Sequence, residues 1–164
     1  MDSTPSAISL TSHSSPVARL LETGPQLSGP ILRLGLALVL FPHGAQKLLG
    51  WFGGYGWSGT MGFLTGKIGL PAPVAALVIL IEFGAPLLLL AGIGTRFAAL
   101  GLGAIMIGAI ATVHASNGFF MNWSGAQAGE GFEYHLLVIT MALALLVAGG
   151  GRLSADRRLT RSAS

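Results

Sequence analysis

The sequence predicts an all-α integral membrane protein, with four transmembrane helices in an antiparallel bundle and both termini cytoplasmic. Three observations predict it. Only 9% of the 164 residues are Asp, Glu, Lys or Arg, against about 25% in an ordinary soluble domain. Apolar residues make up 52% and mean hydropathy is +0.71. The apolar residues also gather into four runs, about 31–49, 72–92, 97–115 and 134–150. Each is close to the roughly 20 residues that cross a hydrocarbon core.

Residues 1–29 are rich in Ser, Thr and Pro and hold no apolar run. They lack the basic start and apolar stretch of a secretory signal. The segment is expected to be a flexible cytoplasmic tail, with the first span an uncleaved anchor. The membrane domain covers 30–151. Residues 152–164, with Arg152, Arg157, Arg158 and Arg161, form a basic cytoplasmic tail.

Within lipid each backbone polar group must bond internally, so the four runs are helices. Short links make neighbours antiparallel. An even helix count puts both termini on one side. That side holds seven Lys or Arg and the other holds only Lys47 and Lys67, so the termini face the cytoplasm. The net charge of +3 therefore reads as membrane-flanking charge, and no nucleic-acid partner is expected. The partners expected are the lipid bilayer and either another protein or a second copy of the chain.

The loops 50–71 and 116–133 then face outward. Of thirteen aromatic residues, five lie in the first (Trp51, Phe52, Tyr55, Trp57, Phe63) and five in or beside the second (Phe119, Phe120, Trp123, Phe132, Tyr134). An interfacial belt would serve both surfaces, so these loops fold over the bundle mouth or meet a partner there. Ser58 is placed to cap a short interfacial helix, 59–67, which Gly69 and Pro71 would stop. On the third span Gly101, Ala104, Gly108 and Ala111 form a smooth face, expected to pack tightly in the bundle. A homodimer seam is the lesser alternative.

Each span brings one ionisable group to the midplane or the outer half: His43, Glu82, His114 and His135. A charge at the bilayer centre costs at least about 2.5 kcal/mol. Glu82 must therefore be neutral, paired, or beside a wet cavity. At 100° per residue, Arg33, His43 and Lys47 fall within about 80° on the first helix, with Gln46 beside them. That polar face should turn inward. Lys47 and Arg33 are candidate partners for Glu82, with snorkelling to opposite interfaces as the alternative. Glu130 and Glu133 read as loop solvation.

The chain has no cysteine, so disulfides, thiolate nucleophiles and Cys-held clusters fall away. Three histidines and a carboxylate suit a metal by ligand type. None stands at helical spacing from another, and no haem-attachment motif is present, so no metal site is assigned. The glycines 50, 53, 54, 56 and 59 lack the ending of a phosphate loop and follow a membrane helix rather than a strand.

The run Phe41-Pro42-His43-Gly44-Ala45-Gln46-Lys47-Leu48-Leu49-Gly50-Trp51-Phe52-Gly53-Gly54-Tyr55-Gly56, with Gly69-Leu70-Pro71 and Glu82, resembles the DoxX family of small four-helix bacterial membrane proteins. The likeness covers about residues 30–150. It implies a multi-pass protein of the bacterial inner membrane that serves as a redox-system subunit. Relatives include small subunits of thiosulfate:quinone oxidoreductase. His43, Lys47 and Glu82 occupy the family's polar positions and are the catalytic candidates. His43, Gln46, Trp51, Trp57, His114 and His135 are the candidates for holding a cofactor, with quinone the one implied.

Three functions follow for test. The first is a quinone-linked oxidoreductase subunit, its electrons supplied by a partner. The second is a non-catalytic anchor that docks a partner through its aromatic outer loops. The third is a small proton or solute transporter using Glu82 and the histidines.

Overall fold

The computed structural model describes residues 27–162. The proposed tail up to residue 26 lies outside them. The described residues are helical, without a strand. Helix α1 is Ser28–Leu49. A short 3₁₀ turn, Trp51–Gly53, leads to α2, Gly56–Gly62, which runs on as a π turn, Phe63–Lys67. Helix α3 is Ala72–Ala91, and α4 is Thr95–Ala109, widened into a π turn at Ile110–His114. Helix α5 is Glu133–Ala148, and α6 is Ala155–Ser162, inside the segment read as a basic tail.

Two stretches, Ala72–Ala91 and Thr95–Asn117, are long and apolar enough to cross a membrane, with hydropathies of 2.5 and 1.9. Helix α5 is apolar but has 16 residues, about 24 Å at 1.5 Å per residue. Helix α1 has 22 residues, and Arg33, His43 and Lys47 interrupt its apolar run.

Helices α1, α3, α4 and α5 form a ring. The main contacts are α1 on α3 and α4 on α5, and the ring is closed by α3 on α4 and α1 on α5. Leu36, Leu40, Leu89, Leu102 and Leu145 interdigitate with Ala37, Ala85, Ala99 and Ala142 to fill its centre. Glycine ends the helices where the chain must reverse. Gly50 (φ 74°) and Gly92 (φ 66°) take the left-handed conformation that closes α1 and α3.

Gly44 sets the α1–α3 distance. A Cβ there would run into the Glu82 carbonyl and lie 2.6 Å from the Phe83 Cα. Thr60 ties α2 to the end of α1 by donating to the Lys47 carbonyl at 3.2 Å. The helix α2 starts at Gly56, with no side-chain cap, so Ser58 lies inside it rather than capping it. The backbone turns into helix three residues earlier than expected, at a glycine with φ 64°.

Arg33 holds the opposite end. It is 3% exposed and donates to the carbonyls of Gly150 (3.1 Å), Leu89 (2.7 Å), Leu90 (3.0 Å) and Leu153 (2.7 Å). It neither snorkels nor meets Glu82, because carbonyls exposed at the end of α3 and in the segment after α5 take up its donors. Asp156 accepts from the amides of Gly94 (2.7 Å) and Thr95 (2.9 Å) and so caps α4. Burial alone would raise the Asp156 carboxyl. The two amides and the Arg33 charge outweigh that and hold it below the ordinary value.

Gly44→Val should force α1 and α3 apart and cost about 2 kcal/mol or more, read as a lower unfolding temperature in detergent. Asp156→Asn should cost about 1 kcal/mol near neutral pH. Because the folded carboxyl lies below its ordinary value of 3.8, its contribution is full above that value and is lost as pH falls through the folded one. The gap in unfolding temperature between wild type and Asp156→Asn should therefore close in acid.

Candidate functional site

Four helices deliver polar groups to one cavity of about 220 Å³ at the Lys47 end of the ring. Helix α1 brings His43 and Lys47, α3 brings Glu82, α4 brings His114, and α5 brings Tyr134 and His135. Leu40, Leu102, Met106 and Ala109 form apolar wall, while Met121 and Glu130 come from the loop after α4.

The α1–α3 approach at Gly44 explains the first pair. Lys47 lies one turn beyond Gly44, and its Nζ forms an ion pair with the Glu82 carboxylate. Glu82 is 7% exposed, whereas about a third of the Lys47 side chain remains open. Pairing satisfies the requirement that a carboxylate within an apolar helix not stand alone.

The π turn explains the second. π turns are rare and concentrate at functional sites. This one precedes His114, whose Nδ1 lies 2.8 Å from the Glu130 carbonyl. A carbonyl only accepts, so Nδ1 carries a hydrogen, and in the neutral ring Nε2 keeps its lone pair. The His114 and His135 rings lie against each other, with centroids 4.1 Å apart and planes tilted by 42°. His135 is 7% exposed. Its Nδ1 and the Tyr134 hydroxyl are buried without a hydrogen-bond partner. His43 stands beside Tyr134, with ring centroids 6.0 Å apart.

The second loop roofs this space. The Glu133 carboxylate accepts from the Met121 amide (2.8 Å) and the Glu130 carboxylate from the Asn122 amide (2.6 Å). These two glutamates, expected as loop solvation, are loop anchors, and Glu130 also lines the cavity.

Of the expected site residues, His43, Lys47, Glu82, His114 and His135 meet at the cavity. Gln46, Trp51 and Trp57 do not line it. Gln46 donates to the Phe52 carbonyl at 3.2 Å, and both tryptophans are exposed. The sequence reading missed Tyr134 as a site residue. Its one signal was adjacency to His135, and it was counted only among the loop aromatics. Among the described residues no group of three or more His, Cys, Asp or Glu is placed to hold a metal ion.

The DoxX family profile matches residues 30–115. The chain belongs to the DoxX family. That family is membrane-associated. The match takes in His43, Lys47, Glu82 and His114, while Tyr134 and His135 lie beyond it. The chain is also similar to the protein named "Putative oxidoreductase CatD" of Bacillus subtilis (strain 168). The two are 32% identical over 115 residues, which is 70% of this chain and 75% of the relative. No solved structure matches the chain.

Removing one member of the ion pair should cost more than removing both. Lys47→Met alone should destabilise by about 3 kcal/mol, the low end for a buried pair because Lys47 is partly open. Adding Glu82→Leu should recover part of the loss. A double-mutant cycle of unfolding free energies checks this, and additive losses would contradict the pairing.

Proposed function

We propose that the chain is a four-span membrane subunit of a redox system that binds a quinone in the polar cavity. The observation that carries this is the convergence on one apolar-walled space of an ion pair, three imidazoles and a phenol. Two of the polar atoms there, His135 Nδ1 and the Tyr134 hydroxyl, are buried and unpartnered. A buried polar atom without a partner is uncommon, and a ring carbonyl or hydroxyl of a bound ligand would satisfy both.

The similarity to a protein named as an oxidoreductase supports the reaction class. The helix exteriors support the four spans. Leu38 and Val39 on α1 and Leu137, Leu143 and Val147 on α5 are exposed, as are Leu77 on α3 and Leu100 and Ile107 on α4. Soluble monomers rarely expose apolar surface on this scale. The Arg33, Arg96 and Arg152 end would face the cytoplasm and the cavity the outer side, in a bacterial inner membrane.

A quinone, when bound, supplies two-electron, two-proton redox chemistry. The residues fit it by donor type. Neutral imidazoles donate from one nitrogen and accept at the other, so His135 and His43 can each hold or yield a proton at a ring oxygen. Lys47 places positive charge beside that oxygen. Glu82 can pass a proton to or from Lys47. The electrons would come from a partner protein. Tyr55, Phe120 and Trp123, which are 86%, 66% and 87% exposed, form the surface for that partner. The same surface favours the second reading, a docking anchor without chemistry of its own.

The test is lipid extraction of the protein purified in native nanodiscs. Quinone should copurify and should fall about tenfold in His135→Ala, the loss expected for one hydrogen bond to a buried ligand. Wild type free of quinone, or unchanged content in the variant, would defeat the quinone reading. Retained quinone with partner capture abolished by Trp123→Ala would assign docking and chemistry to separate surfaces.

A further inference from the structure

Beside the polar cavity lies a second space, an apolar groove of about 430 Å³ between α3 and α4, overhung by the π turn after α2. The two adjoin, because Lys47, Glu82, Ala109 and His114 line both. The floor of the groove includes Gly101, Ala104 and Gly108 of α4. These residues were expected to seat a neighbouring helix. In the structure Ala104 and Gly108 are exposed, and a Cβ added at Gly108 would meet nothing within 4 Å. The helices approach closely at Gly101, where an added Cβ would stand 3.0 Å from an Ile81 methyl. Within the chain the small residues therefore leave a channel open.

We infer that this groove holds the hydrocarbon tail of the ligand whose polar ring sits in the cavity, so that the ligand enters sideways from the bilayer between α3 and α4. The inference rests on the quinone reading of the cavity. Its occupant is argued from adjacency. An amphiphile with its head at Glu82 and His114 has this apolar groove leading directly away from the head. Buried in lipid, the tail gains no hydrophobic free energy on moving into protein, because lipid chains are equally apolar. The groove's contribution is therefore steric: it lets a tailed ring reach the polar groups without threading the tail through the bundle core. Leucine side chains at these α4 positions would fill it.

Two benzoquinones with the same ring test this, one carrying a decyl chain and one a methyl group. Equilibrium binding to the full chain in nanodiscs is measured for wild type, Gly108→Leu and Ala104→Leu. Either substitution should weaken the decyl compound tenfold or more and the methyl compound less than twofold. The second variant guards against a folding defect in the first. Equal weakening of both compounds, or of neither, overturns the groove assignment while leaving the ring site standing. An acyl chain of a membrane lipid in the groove would also make the two compounds respond alike. Wild type that binds neither compound overturns the quinone reading, and the inference with it.

Discussion

The backbone of α1 meets the backbone of α3 at Gly44, and much of the Lys47 half of the molecule follows from that contact. Without a Cβ the helix can lie against Glu82 and Phe83, which puts Lys47 within reach of the Glu82 carboxylate. The ion pair in turn permits a carboxylate to stand in the middle of an apolar helix. Each charge alone would cost several kcal/mol to desolvate. Together, with Lys47 partly open to the outer end, they can be tolerated and remain close enough to a cavity to act on what enters it.

The two ends of the ring are built on opposite principles. At the Arg33 end, the charged groups are matched, although the buried Thr95 hydroxyl there has no partner. One guanidinium serves four carbonyls, and one carboxylate serves two amides. At the Lys47 end, imidazole and phenol groups are brought together, and two of their polar atoms are left unpaired. Buried polar groups in a stable fold are normally satisfied. The unpaired atoms at the second end are the ones that the proposed ligand would satisfy.

The inward turn of Lys47 towards Glu82 was legible in the sequence because the physics is local. A charge in an apolar helix needs a partner, and helical phase says which groups share a face. Arg33 obeys the same phase, yet its partners are carbonyls at the ends of other segments, which no residue pattern announces. The His114–His135 contact was not legible either. It depends on α4 and α5 being neighbours and on a π turn that shifts the phase after Ile110, and both are tertiary outcomes. The small face of α4 misled for a related reason. Gly and Ala permit close approach but do not compel it, and here Ala104 and Gly108 face a groove while Gly101 alone meets Ile81 closely.

Membrane surroundings also change what the cavity and groove can each contribute. In water, an apolar pocket of this size would supply much of a ligand's affinity. In lipid the tail is already solvated by hydrocarbon, so discrimination must come from the polar end. On the proposed reading, the ion pair, the imidazoles and the Tyr134 hydroxyl would set which ring is held, and the Gly and Ala floor would set only whether its tail fits. Two adjoining spaces, one polar-lined and roofed by a loop, the other apolar and opening between two helices, are what that separation of tasks requires.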